Sequence, residues 1–246
     1  MSEPVLEFAD ASFAFGDVTI LDDASVALED GTFVALVGPN GSGKTTALEL
    51  FAGLRSLDTG TVTRPATTGR TVAYLPQSPR FRPGFTVREV VAFYGSLVET
   101  EVDADAILSR VGLGGATDRR VDELSGGMTR LLGLAQALIG DPPVVVLDEP
   151  TSGLDPDIAD HIFEAAASMA ADGRLVLTTS HDLEAVSRYA DRVLLIANGE
   201  FVLDGSPAAL VEQAGAERLR DVFSATVAGS GRDAVDIDAR TEGDSA

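Results

Sequence analysis

Residues 32–46 read Thr32-Phe33-Val34-Ala35-Leu36-Val37-Gly38-Pro39-Asn40-Gly41-Ser42-Gly43-Lys44-Thr45-Thr46. An apolar run opens the stretch, of the kind buried in a parallel sheet. Gly38 to Thr45 then match the spacing G-x-x-x-x-G-K-[ST], and the following TALELFAGL carries helical spacing. Strand, glycine-rich turn and helix in that order build a cradle for phosphate. The glycines let the backbone curl so that several N–H groups converge, and the helix N-terminus adds its partial positive charge. In such a cradle Gly38, Pro39, Asn40, Gly41, Ser42 and Gly43 form the loop, and Lys44 sets a full charge against the β- and γ-phosphates. Thr45 offers a hydroxyl to Mg²⁺, and Thr46 reaches the α-phosphate.

Outward from the loop, the chain alternates strands and helices, which predicts an α/β fold with a mostly parallel central sheet. VLEF, SFAF and SVAL before the loop read as short antiparallel strands, so an N-terminal antiparallel β subdomain is expected. TVAYLP is a further strand. From Thr86 to about Gly140 the spacing turns helical in TVREVVAFYGSLV, ADAILSRV and GGMTRLLGLAQALIG, which predicts an inserted helical subdomain over about 78–140. VVVLDEP is a buried strand, Pro156–Ala171 a helix, LVLTTS a strand and DLEAVSRYA a short helix. VLLIA and EFVL around Asn198-Gly199 predict a hairpin with a type I′ turn. SPAALVEQ and AERLRDVF are weaker helices. The composition shifts at Ala225, so the ordered domain is expected over 3–224 and an acidic disordered tail over 225–246.

Composition narrows the function classes. Of 246 residues 45% are hydrophobic, enough for a large core. The 39 acids outweigh 18 bases for a net charge of −21, which argues against nucleic acid as a partner. The absence of cysteine excludes disulfides, thiolate catalysis and cysteine zinc sites. Lys44 is the only lysine among the 18 bases. An acidic, nearly lysine-free surface predicts a protein kept soluble in concentrated salt, where screening removes self-repulsion. An arginine-preferring genome yields the same bias. Apolar runs such as Val144–Leu147 and Val193–Ala197 are too short to span a bilayer, and MSEPVLEFAD lacks a basic leader region.

Asp148 and Glu149 stand at the carboxyl end of VVVL, where ligands sit in open α/β sheets. Adjacent residues on extended backbone point to opposite sides, so the two carboxylates take different tasks. Asp148 is expected in the Mg²⁺ shell, and Glu149 as general base on the water that attacks the γ-phosphate. A buried ion pair is the alternative. Ser125 is a good N-cap, and Gly126 and Gly127 leave the next N–H groups uncovered, a second anion-binding helix end. His181 follows LVLTTS, where it is placed to bond the γ-phosphate; His161, mid-helix, reads as structural.

With these residues in order, the sequence resembles the ATP-binding subunits of ABC transporters over about residues 3–222. The phosphate loop and VVVLDEP match that family's two Walker motifs. Leu124-Ser125-Gly126-Gly127-Met128 resembles its signature, Gln77 its Q-loop, Ser152-Gly153-Leu154-Asp155 its D-loop and Thr179-Ser180-His181 its switch histidine. Phe15 falls where the family sets an aromatic ring against adenine. The resemblance implies ATP and Mg²⁺ as bound species. It gives Gln77 contacts to Mg²⁺ and the attacking water, and Asp155 a reach across a dimer of two copies packed head to tail. It also implies a separate membrane permease received near Arg80 and Arg82, and a peripheral position on the cytoplasmic face of the membrane. Met128 stands where the family usually has Gln, and Phe15 where Tyr is commoner.

The stretch 111–143 looks like exporter-type ATPases, and within them like those serving copper delivery to nitrous oxide reductase. Drug, lipid or polysaccharide export are the other cargoes. A soluble ABC-type ATPase acting outside transport is the alternative function. Repair ATPases of that type insert a long coiled coil between phosphate loop and signature, and the interval from Thr45 to Leu124 is too short for one. An ATP-binding regulator without turnover is disfavoured by the presence of both Glu149 and His181.

Overall fold

The computed structural model describes residues 5–229. Strands β1 (Leu6–Phe15) and β2 (Val18–Leu28) pair antiparallel and lead to β3 (Phe33–Val37) and helix α1 (Lys44–Phe51). Next come β4 (Thr59–Thr63), β5 (Val72–Leu75) and the helices α2 (Val87–Gly95), α3 (Ala104–Arg110) and α4 (Gly126–Leu138). The chain returns through β6 (Val144–Leu147), α5 (Pro156–Ala171), β7 (Leu175–Thr179), α6 (Leu183–Tyr189), β8 (Arg192–Ala197) and β9 (Glu200–Gly205), then ends in α7 (Pro207–Ala214) and α8 (Leu219–Gly229).

Two sheets result. The central one has the order β5-β6-β7-β3-β8-β9, parallel except for β9, and the small one is antiparallel with the order β2-β1-β4. β3 and β6 are buried throughout, as their unbroken apolar runs require. One face of the central sheet packs on α4 and α5 with the α2–α3 segment. The other face packs on α1 and the small sheet, where the rings of Phe8 and Phe51 stack 3.7 Å apart. Asn198 and Gly199 both take positive φ, 54° and 89°, in the β8–β9 turn, as a type I′ hairpin demands.

Three local expectations change, and one strand is added. VLEF and SFAF are one strand, because Asp10 at φ 50° absorbs a bulge opposite β2. SVAL is likewise the end of a longer strand bent at Asp23, also at φ 50°. The backbone N–H of Asp10 donates to Ser25 Oγ and that of Asp23 to Ser12 Oγ, so each bulge is tied to the facing strand. β4, in the polar TGTVT, has no apolar alternation to announce it; it exists by pairing, with Val62 opposite Phe8. Finally, α8 runs through the composition shift at Ala225 to Gly229, because Phe223 and Val227 pack on the α6–α7 side of the core. The rest of the expected tail, 230–246, lies outside the described residues.

Candidate active site

α1 starts on Gly43, which caps it at φ 93° and makes no side-chain cap, so the first N–H groups of the helix stay open. A Cβ on Gly43 would lie 2.5 Å from Ile20 Cγ2, and one on Gly38 would lie 2.5 Å from the Ile196 carbonyl oxygen. Only glycine fits both places. The ammonium of Lys44 folds back to donate to the Gly38 and Pro39 carbonyls at 2.9 and 3.1 Å. Burial lowers its pKa, opposed by the charges of Glu149 and Asp148. Ser42 Oγ is buried without a hydrogen-bond partner. A lysine resting on its own loop, an orphaned hydroxyl and open helix N–H groups fit a polyphosphate. The cleft beside them, of about 440 Å³, is lined by Ile20, Asn40, Gly41, Thr45, Thr46 and Glu149 among others.

The metal-side oxygens lie next to the loop. Thr45 Oγ1 donates to Asp148 Oδ1 at 3.3 Å. A hydroxyl and a carboxylate side by side fit Mg²⁺, which takes hard oxygens and keeps water and phosphate ligands. Among the described residues no three His, Cys, Asp or Glu side chains gather into a metal cluster, and such an ion needs none. Asp148 is 3% exposed and is held from both neighbouring strands: Tyr74 OH donates to Oδ2 at 3.3 Å and Thr179 Oγ1 to Oδ1 at 2.8 Å. Burial, then the nearby Asp148 and Glu49 charges, push the Tyr74 phenol far above its ordinary pKa, so it stays a donor.

Glu149 departs from the extended backbone expected of it. Its φ is 43°, the left-handed region that non-glycine residues avoid. Its carboxylate receives Gln77 Nε2 at 2.8 Å on one oxygen and His181 Nε2 at 2.7 Å on the other. Three residues from three separate segments therefore meet, with Glu149, which lines the cleft, in the middle. Gln77 meets Glu149 rather than the Thr45–Asp148 pair.

Other expected site residues stand apart from this cleft. Ser125 caps α4 by accepting the Met128 N–H at 3.2 Å, and it is exposed together with Gly126. Gly127 is buried where a Cβ would lie 2.8 Å from Ile158, so it is needed for helix packing. Asp155 is the exposed N-cap of α5, and Ser152 beside it is exposed too. Phe15 is 46% exposed at the end of β1, with the Arg55 guanidinium 4.9 Å over its ring. His161 is structural: its Nε2 meets the Val111 carbonyl at 3.2 Å. Sequence reading missed Ile20 and Tyr74, and it placed Thr179 in the switch-histidine motif without reading its bonds to Asp148 and Glu149. Tyr74 lies in a regular strand and carries no motif; the signal for it and for the Thr179 bonds is that β5 and β7 flank β6.

A phosphate loop, a carboxylate pair beyond the neighbouring strand and a glutamine and histidine converging on the second carboxylate define a nucleotide triphosphatase of the ATP-binding-cassette class. The comparisons agree. The ABC transporter family matches residues 21–152. The chain is 37% identical over 224 residues to the Nod factor export ATP-binding protein I of Paraburkholderia xenovorans (strain LB400), covering 86% of this chain and 74% of that one. It is 36% identical over 220 residues to the protein of the same name from Burkholderia lata, covering 84% and 72%. A solved ATP-binding subunit of an ABC transporter shares the fold at TM-score 0.78 and 24% identity, over 90% of this chain and 98% of that one. The chain belongs to the ABC transporter family as an ATP-binding, ATP-hydrolysing subunit.

Proposed function

We propose that two copies of this chain close head to tail around two molecules of ATP and that their opening drives a separate membrane permease in export. The observation that carries the reading is Glu149 held by Gln77 and His181 beside the phosphate loop. Lys44 exchanges the Gly38 and Pro39 carbonyls for the β- and γ-phosphates, and Ser42 gains a partner for its buried hydroxyl. Phe15 stacks on the adenine ring. Mg²⁺, held by Thr45 and Asp148, would neutralise phosphate charge. Glu149 takes the proton of the attacking water, oriented by Gln77 and His181. The exposed end of α4 at Ser125 and Gly126 supplies the partner copy's γ-phosphate contacts, and Asp155 links the two sites.

Among the described residues no helix is long and apolar enough to cross a membrane. The docking face for a permease is the patch around Arg82, whose guanidinium lies 5.4 Å over the Phe85 ring, with Phe93 half exposed beside it. Such a chain works at the cytoplasmic face of the membrane. Export is supported by the names of the relatives; the copper-delivery reading predicts metal-stimulated turnover once the permease is present, and an organic cargo predicts none. Turnover with and without the membrane fraction separates the transport reading from a soluble ATPase. The acidic, nearly lysine-free composition supports a salt-rich cytoplasm; activity that is full in dilute buffer overturns that part. The central test is Glu149→Gln, which should retain ATP, stall hydrolysis and accumulate an ATP-bound dimer visible by size exclusion. Near-normal turnover in that variant removes Glu149 as the base.

A further inference from the structure

β6 ends at Leu147, and the two working carboxylates follow it directly. Its neighbour β7 ends at Thr179, which is fully buried. Register sets Leu147 beside Thr178, so Thr179 falls level with Asp148. The Thr179 hydroxyl makes two bonds there: it donates to Asp148 Oδ1 and accepts the backbone N–H of Glu149, each at 2.8 Å. One hydroxyl has one proton. With that proton given to Asp148, its lone pairs face the Glu149 N–H, and the chain N–H to O–H to carboxylate runs in one direction.

The Glu149 N–H belongs to the residue at φ 43°. No glycine eases that conformation, so an outside bond must help hold it. This backbone turn is what delivers the carboxylate to Gln77 and His181. We infer that Thr179 is a positioning residue that locks the metal-side carboxylate and the proton-accepting carboxylate into one unit. It fixes the Asp148 oxygens against Thr45 while it holds the left-handed backbone of Glu149. The inference rests on the assignment of Asp148 to Mg²⁺ and Glu149 to the water proton. Its neighbour Thr178 is an internal control. It is equally buried, yet its hydroxyl faces the backbone carbonyls of Leu147 and Thr179 at 3.2 and 3.3 Å and touches neither carboxylate.

The experiment compares Thr179→Val, Thr179→Ala, Thr179→Ser and Thr178→Val in the full chain. Turnover, its Mg²⁺ dependence, thermal midpoint and binding of a fluorescent ATP analogue with Mg²⁺ or with EDTA are measured. Thr179→Val and Thr179→Ala should lose about 10–100-fold in kcat and need several-fold more Mg²⁺, as outer-sphere losses do. Analogue binding in EDTA should stay within about twofold, and the Mg²⁺-dependent gain in affinity should shrink. Thr179→Ser keeps the hydroxyl and should recover most of both. Thr178→Val should lower the thermal midpoint comparably with turnover close to the parent. Parent-like kcat and Mg²⁺ dependence in a folded Thr179→Val or Thr179→Ala, or the same losses in Thr178→Val, overturns the inference. Glu149→Gln run in parallel keeps the two readings apart: near-normal turnover there defeats the base assignment, whereas loss there with none at Thr179 defeats the lock alone.

Discussion

α1 and α4 both begin with glycine-rich turns, and both present open N–H groups at their starts, yet their surroundings differ. Neither has a basic residue of its own in its last turn. Each is closed at the C-terminus by an arginine from elsewhere: Arg64 donates to the Leu50 and Phe51 carbonyls, and Arg70 to those of Gln136 and Ile139. Burial lowers the pKa of both arginines without removing their charge. At the N-terminus the likeness ends. Around α1 the same chain supplies Lys44, Thr45, Asp148 and Glu149. The α4 end carries its own Ser125 cap and faces outward. On the proposed function, the half at α1 is completed within the chain and the α4 end is offered to a second copy.

The largest effect expected is at the finished half. Glu149→Gln should cut hydrolysis by about 10²–10⁴-fold while ATP stays bound, read by single-turnover assays. A smaller loss tells against a general base there. Next comes the outward half. Gly126→Asp puts a carboxylate on the exposed helix end and should cost about 100-fold in turnover. ATP affinity of the monomer, measured by titration, should remain within about twofold. If affinity falls as much as turnover, the two helix ends serve one copy and the comparison breaks.

The C-terminal arginines sharpen the contrast at lower energy. Arg64→Ala and Arg70→Ala should each destabilise by about 1.5–3 kcal/mol in denaturant titration, the range for hydrogen bonds involving a charged group. Only Arg64→Ala should also weaken nucleotide binding, because only α1 carries the phosphate loop. The smallest effect on hydrolysis belongs to the aromatic patch. Charge reversal at Arg80 and Arg82 should change basal turnover by less than about twofold and abolish its stimulation by permease-containing membranes. Unchanged stimulation assigns both arginines to solvent.

Much of the machinery is legible because it is local. The phosphate loop, the Asp148-Glu149 pair and the Ser125 cap each need only a few consecutive residues to state their chemistry. The helix Pro156–Ala171 is marked by Asp155 and Pro156 at its start and is observed over those residues. β4 was invisible because its stability comes from β1 rather than from its own side chains. The bulges at Asp10 and Asp23 were invisible because aspartate tolerates the left-handed region without advertising it as glycine does.

The amino-acid order alone determined which chemistry each motif offers, since hydroxyl, ammonium, carboxylate and open N–H groups follow from residue type and short spacing. Only the tertiary structure decided which side chains share a carboxylate. Tyr74, Thr45 and Thr179 come from segments far apart in the chain and meet on Asp148, and Gln77 and His181 meet on Glu149. The reason is geometric. Parallel register places residues of neighbouring strands level with one another, and a hydrogen bond tolerates only a few tenths of an ångström.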